Sequence, residues 1–217
     1  MSEKDIDRLK DLSKICEADE RQQYFSTTLE IEHDVLSQIT INETAPRTAI
    51  QLFETAKNLS LYSWFVYRFH QVSELTAYSA LEVALKEKYQ LENPSDESKK
   101  QQVRLTLFTL LKHAKENQWI KNEGFPSHYW RAYRFAESQK NWEKSKIHDF
   151  EKEPEVLCEE PTAKEVEEAL SNIDLVSAVA ENTNKLRNNL AHGSSTLHPN
   201  SVQTIQLVSE IINQLYD

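Results

Sequence analysis

The sequence predicts an all-α protein, and three observations carry that prediction. Only two glycines and six prolines occur in 217 residues, so the punctuation a turn-rich β architecture needs is scarce. Leu, Ala, Glu, Lys and Gln, which form helices readily, are abundant. From about residue 59 onward the apolar residues recur at three- and four-residue steps, the period of an amphipathic helix. The length suits one domain with an extension and is enough to bury a real core. The expected architecture is an antiparallel helical bundle over residues 45–217, preceded by an N-terminal extension over residues 1–44.

In chain order, the extension is the least periodic part. Ile6, Leu9 and Leu12 have helical spacing, whereas Leu29, Ile31, Ile39 and Ile41 alternate with polar neighbours. A short helix followed by a small β hairpin or an irregular arm is the reading. Thr44-Ala45-Pro46 opens a helical region, proline being tolerated in a first turn. From about Leu59 to Tyr89, Leu61, Trp64, Phe65, Val72, Leu75, Tyr78, Leu81 and Leu85 mark the central helix of the bundle. A polar loop at 92–96 ends it, and a helix with Leu105, Phe108, Leu111 and Ala114 on one side follows over about 98–119. A break at Gly124-Phe125-Pro126-Ser127 precedes a helix running towards Trp142. Residues 144–161 lose periodicity and turn acidic, as a surface connection does. Thr162 with Glu165 three residues on makes a capping box, so a helix or a broken pair of helices runs from Ala163 to His192. Its inner stripe is Ile173, Val176, Val179 or Ala180, Thr183, Leu186 and Leu190. A last helix over about 199–215 buries Val202, Ile205, Val208, Ile212 and Leu215.

Composition narrows the function classes. A formal net charge of -10 disfavours non-specific coating of nucleic acid, whose affinity grows with the phosphates neutralised, but permits a local basic cleft. The charged N-terminus lacks a signal-peptide core and no segment reaches membrane-spanning length, so a soluble cytoplasmic protein without a membrane partner is expected. Cys16 and Cys158 are isolated, and His33, His113, His128, His148 and His198 show no ligand spacing, so neither a disulfide framework, a metal nor any other cofactor is expected.

The stretch with the densest chemistry is Arg187-Asn188-Asn189-Leu190-Ala191-His192-Gly193. A permanent cation, two amides and an imidazole precede one of the two glycines, which reads as a helix end. Arginine presents a planar fork that matches phosphate oxygens, and histidine moves a proton near neutral pH, so the pair suits phosphate-ester cleavage. From composition alone the pair carries little weight, since an Arg and a His five residues apart are common. On an ideal helix they lie about 140° apart around the axis and about 7.5 Å along it, so they do not converge unaided. Either the chain turns at Gly193, or a second copy completes the site across a symmetric dimer, or both.

The six residues from Arg187 to His192 resemble the signature of the HEPN superfamily: an arginine, a polar residue, and a histidine after four to six intervening positions. The context is similar too. The motif ends one helix, a final bundle helix follows, and Tyr67-Arg68-Phe69 through Ala80-Leu81-Glu82-Val83-Ala84-Leu85 is similar to the aromatic-rich core helix of many members. The resemblance covers about residues 45–217, with an insertion or variable region over about 92–160. It implies a homodimeric, metal-independent endoribonuclease of the toxin or phage-defence kind, acting on RNA and controlled by an antitoxin or regulatory protein. In that scheme His192 assists proton transfer as the RNA 2′-hydroxyl attacks the adjacent phosphate, Arg187 binds the phosphoryl group and Asn188 orients it. One branch of the superfamily is regulated through a tyrosine two residues after the histidine; here Ser194 stands there.

Other residues are candidates on weaker grounds. Arg68, His70, Glu74 and Glu82 interrupt the apolar central helix, with Arg68 and Glu82 as supporting residues and His70 and Glu74 spaced to pair. Arg131 and Arg134 lie among Tyr129, Trp130, Tyr133, Phe135 and Trp142, a mixture that could stack bases and hold phosphates of single-stranded RNA. Aromatics at that spacing equally form core. Two readings compete with the enzyme: a catalytically silent HEPN-like module that binds a nucleotide, RNA or a partner protein, and an acidic interaction scaffold using the N-terminal arm and the 144–161 connection.

Overall fold

Helix α3 (Phe69–Glu92) is the element around which the chain is arranged. Its buried positions Ala77, Tyr78, Ala80, Leu81, Ala84 and Leu85 repeat every three or four residues, and the alanines let neighbouring backbones approach closely. The computed structural model describes residues 7–94, 105–148, 157–191 and 198–217, with the backbone alone at 184, 186 and 188–191. Among the described residues there are eight α-helices and no strand: α1 (Leu29–Gln38), α2 (Arg47–Tyr62), α3, α4 (Leu107–Glu116), α5 (Ser127–Ile147), α6 (Ala163–Asn172), α7 (Leu175–Ala191) and α8 (Ser201–Tyr216). None of them is long and apolar enough to cross a membrane.

Helix α2 packs on α3 through Ala49, Phe53, Ala56 and Ser60, and the Ser73 hydroxyl donates to the Ala56 carbonyl at 2.8 Å. The two form an antiparallel hairpin. Helix α8 runs beside α3 in the same direction, with Ser201 next to His70, Thr204 next to Glu74, and the Tyr216 hydroxyl donating to the Ala84 carbonyl. It fills the core with Ile205, Val208, Ile211 and Ile212, all fully buried. Helices α4 and α7 close the remaining sides of α3, and α6 packs on α5 as a satellite through Val166, Ala169, Ala132 and Ala136.

Local chemistry accounts for the ends. The Thr162 hydroxyl accepts from the Glu165 amide, and the Glu165 carboxylate accepts from the Thr162 amide at 2.6 Å, the expected capping box. The region 163–191 is a broken pair: α6 ends at Asn172, and Asp174 Oδ1 accepts from the Ser177 amide at 3.0 Å to cap α7. Asn122 Oδ1 accepts from the Val176 amide at 3.0 Å, so a second donor of that first turn is satisfied from another element.

Three expectations change. The central helix does not begin at residue 59: the chain turns over residues 63–68, where the Ser63 hydroxyl donates to the Ser60 carbonyl and starts a separate helix pair. The region around Leu29 and Ile31 is helix α1 rather than a hairpin or an irregular arm, capped by the Thr28 hydroxyl on the Ile31 amide. Its alternation arises because one residue alone, Leu36, enters the core, leaving the rest free of a helical stripe. The spacing of Leu9 and Leu12 yields only a 3-10 turn at Leu12–Lys14; both side chains are exposed, and a short helix without packing is marginal. Residues 40–44 fasten to α8: the Thr40 carbonyl accepts from Ser209, and Thr44 and Asn42 donate to the carbonyl of Tyr216, the last residue of that helix. The helical expectation over 98–104 and the 92–96 loop beyond Pro94 lie outside the described residues.

Candidate functional site

Arg187 lies near the end of α7, and its guanidinium reaches 3.6 Å from Glu82 Oε2 on α3. The side chain stays 41% exposed while Glu82 is only 19% exposed, so the acid is a nearly sunken anchor and the cation faces outward. The other Glu82 oxygen accepts from Lys86 at 2.6 Å, one helical turn further along α3. One carboxylate therefore holds two cations at the seam between the core helix and the motif helix. Asn188 lies in the same helix with its side chain outside the described residues, and His192 lies outside them altogether.

Arg68 does not join this group. It stands just before α3, about 21 Å along the axis from Glu82 at 1.5 Å per residue, and its Nε donates to Asp7 at 2.6 Å. Asp7 also binds Arg21, which pairs with Asp19 at 2.7 Å and lies over the Tyr67 ring at 4.5 Å. Burial alone would raise the Asp19 carboxyl, but hydrogen bonds from the Arg21 side chain and from the Arg21 and Tyr67 amides bring it down to about 2. Arg68 thus fastens the N-terminal arm instead of supporting Arg187.

A cleft of about 520 Å³ opens between α3, α5, α7 and α8. Its walls include Glu74 and Tyr78 from α3, Arg131 from α5, Thr183 from α7, and Thr204 and Glu210 from α8. Glu74, Tyr78 and Glu82 recur every four residues on one face of α3, and Thr183 and Arg187 do the same on α7. Glu74 is buried, and burial pushes its carboxyl up to about 7, only partly offset by a long 3.3 Å hydrogen bond from Thr204. Burial likewise pushes the Tyr78 hydroxyl up to about 12. Among the described residues the buried Thr183 hydroxyl has no hydrogen-bond partner, which is unusual enough in a folded protein to require a reason.

No protein-family model, curated protein or solved structure matches this chain.

The expected pairing of His70 with Glu74 is not made. His70 Nδ1 lies 2.7 Å from Ser201 Oγ, and Nε2 lies 3.1 Å from Ser63 Oγ. Ser60 and Ser201 are 2.7 Å apart, and the Ser63 hydroxyl donates to the Ser60 carbonyl at 2.6 Å. One assignment satisfies every group: Ser60 donates to Ser201, Ser201 to Nδ1, Nε2–H to Ser63, and Ser63 to the carbonyl. The circuit ties α2, α3 and α8 together and needs a neutral imidazole. Burial, with the positive charge of Arg21, accordingly lowers His70 to about 4.

On α5 the aromatic residues turn outward in part. Tyr129, Trp130 and Trp142 are more than half exposed, and Trp130 meets Tyr129 and Tyr133 edge-on at about 6 Å. Lys140, Lys144 and Lys146 pair with Glu165, Glu159 and Glu143, so this face carries less free positive charge than its composition promised. Arg134 is exposed on it, while Arg131 turns to the cleft. Cys16 and Cys158 are free and exposed, and among the described residues no cluster of His, Cys, Asp and Glu has the geometry to hold a metal ion.

Proposed function

We propose that this protein is a metal-independent endoribonuclease of the HEPN type, a toxin or defence effector, built on Arg187, Asn188 and His192. The observation that carries the reading is the anchoring of Arg187 by Glu82: a cation fixed to the core helix yet open to solvent is poised to receive a phosphate. The resemblance of Arg187–His192 to the superfamily motif supplies the chemistry. His192 takes the proton of the RNA 2′-hydroxyl as that oxygen attacks phosphorus. The bond to the 5′ oxygen breaks, that oxygen receives a proton, and a cyclic phosphate end remains. Arg187 binds the phosphoryl oxygens, Asn188 orients them, and Glu82 is a positioning residue acting through Arg187. A homodimer that brings two motifs together completes the site, with an antitoxin or regulatory protein controlling it.

The same ion pair also favours one alternative, in which Arg187 merely straps α7 to α3 in a silent HEPN-like module that binds a nucleotide, RNA or a protein. A half-exposed pair stabilises by roughly 0–1 kcal/mol, so a strap is a weak role. Purified protein incubated with varied RNAs in excess EDTA separates the two readings. Cleavage that survives chelation and falls in Glu82→Gln while the melting temperature barely moves supports the enzyme. Intact RNA from a folded wild-type protein supports the silent module.

A further inference from the structure

We propose that the cleft between α3, α5, α7 and α8 binds a small aliphatic amine, with the Glu74 carboxyl and the Thr183 hydroxyl taking its ammonium group. The site is independent of the ribonuclease chemistry. Glu74 is buried at the cleft wall with only a long hydrogen bond from Thr204, so water has been removed from an acid without a counter-ion taking its place. Thr183, 1% exposed, adds a hydroxyl with no partner among the described residues, an acceptor already stripped of water. Both residues line the cleft, and an ammonium, with three donors and a positive charge, answers either deficit.

The remaining walls define the rest of the ligand. Phe125, Leu175, Val179 and Leu207 give an apolar lining suited to methylenes. Among the described residues that line the cleft Arg131 is the one cation, and its charge acts on Glu210 on the facing helix, so those two groups offset one another and Glu74 remains the unbalanced acid. An anion would meet an unsolvated carboxyl there, and a protein of net charge -10 attracts cations from solution. A volume of about 520 Å³ admits a chain of several carbons.

The test is calorimetric titration of the full-length protein with 1-aminobutane, using 1-butanol as the neutral control of equal length and butyrate as the anion. The amine binds; butanol and butyrate bind at least about tenfold more weakly. Near pH 6, measured in two buffers of different ionisation enthalpy, amine binding releases close to one proton as Glu74 ionises, and butanol releases none. The other titratable or charged groups on the cleft walls are Tyr78 on α3, Arg131 on α5 and Glu210 on α8; α7 presents none. Glu74→Gln weakens amine binding about tenfold or more. Thr183→Val weakens it severalfold while raising the melting temperature of the free protein, since it removes an unsatisfied buried hydroxyl. Glu54→Gln, on the outside of α2, leaves binding unchanged. Equal affinity for butanol, amine affinity unaltered in Glu74→Gln, or no amine binding would each overturn the proposal.

Discussion

Two buried titratable groups on successive turns of α3 pull the stability of the fold in opposite directions with pH, and replacing one unmasks the other. His70 drops from 6.5 to about 4 on folding. Between those values the unfolded chain binds a proton that the folded chain refuses, so stability rises with pH, by about 3 kcal/mol over the interval at 1.36 kcal/mol per pH unit. Glu74 rises from 4.5 to about 7. There the folded chain keeps a proton that the unfolded chain has released, so its contribution is complete below 4.5 and is lost as pH climbs through 7, again by about 3 kcal/mol. Between about 4.5 and 6.5 the two slopes oppose and nearly cancel. In Glu74→Gln the opposing Glu74 slope is removed, so the free energy of unfolding gains roughly 2–3 kcal/mol more between pH 4.5 and pH 6.5 than it does in the wild type. Urea unfolding followed by circular dichroism at half-unit pH steps, in wild type and variant, reads this directly. A variant as flat as the wild type over that interval would refute the opposition of the two groups.

Other consequences follow from named contacts. Ser201→Ala breaks the histidine circuit at Nδ1 and removes the partner of Ser60; it should cost about 1–3 kcal/mol in urea unfolding. Thr162→Ala removes the cap of α6 and should cost about 1 kcal/mol. Its effect should be confined to the α5–α6 satellite, seen as faster amide exchange there than in α3. Lys115→Ala should lift the Asp174 carboxyl from about 2 back towards its ordinary range, because the lysine's hydrogen bond is the largest influence holding it down. Carboxyl titration by NMR measures that recovery.

Elements whose signals are local were legible in the sequence. Thr162 and Glu165 announce the start of α6, and the run from Val202 to Leu215 announces α8, because capping and helical periodicity are short-range effects. The turn over residues 63–68 was not legible: Trp64 and Phe65 continue the apolar spacing, and neither glycine nor proline marks the break. Helix α1 has the pattern of a hairpin or an irregular arm because it buries a single residue, Leu36, and so carries no stripe. Of the candidate site, the sequence singled out Glu82 and Arg187, and they meet. Arg68 lies apart from them, held by Asp7, which stands 61 residues away in the arm and so leaves no local trace. Of the cleft, Glu74 stood out as a polar residue in the apolar central helix and Thr183 as a member of an inner stripe, but that they and Thr204 meet was not legible, since three helices supply them and only packing assembles them.

The central claim is that Arg187 and His192 cleave RNA without a metal ion. Its most direct measurement is incubation of single-stranded RNA with the wild-type protein, His192→Ala and Arg187→Ala in excess EDTA, with the product ends analysed. Products ending in a cyclic phosphate from the wild type, and a loss of at least about a hundredfold in both variants, are the result the account predicts. Intact RNA from folded wild-type protein, or undiminished cleavage by His192→Ala, would contradict it.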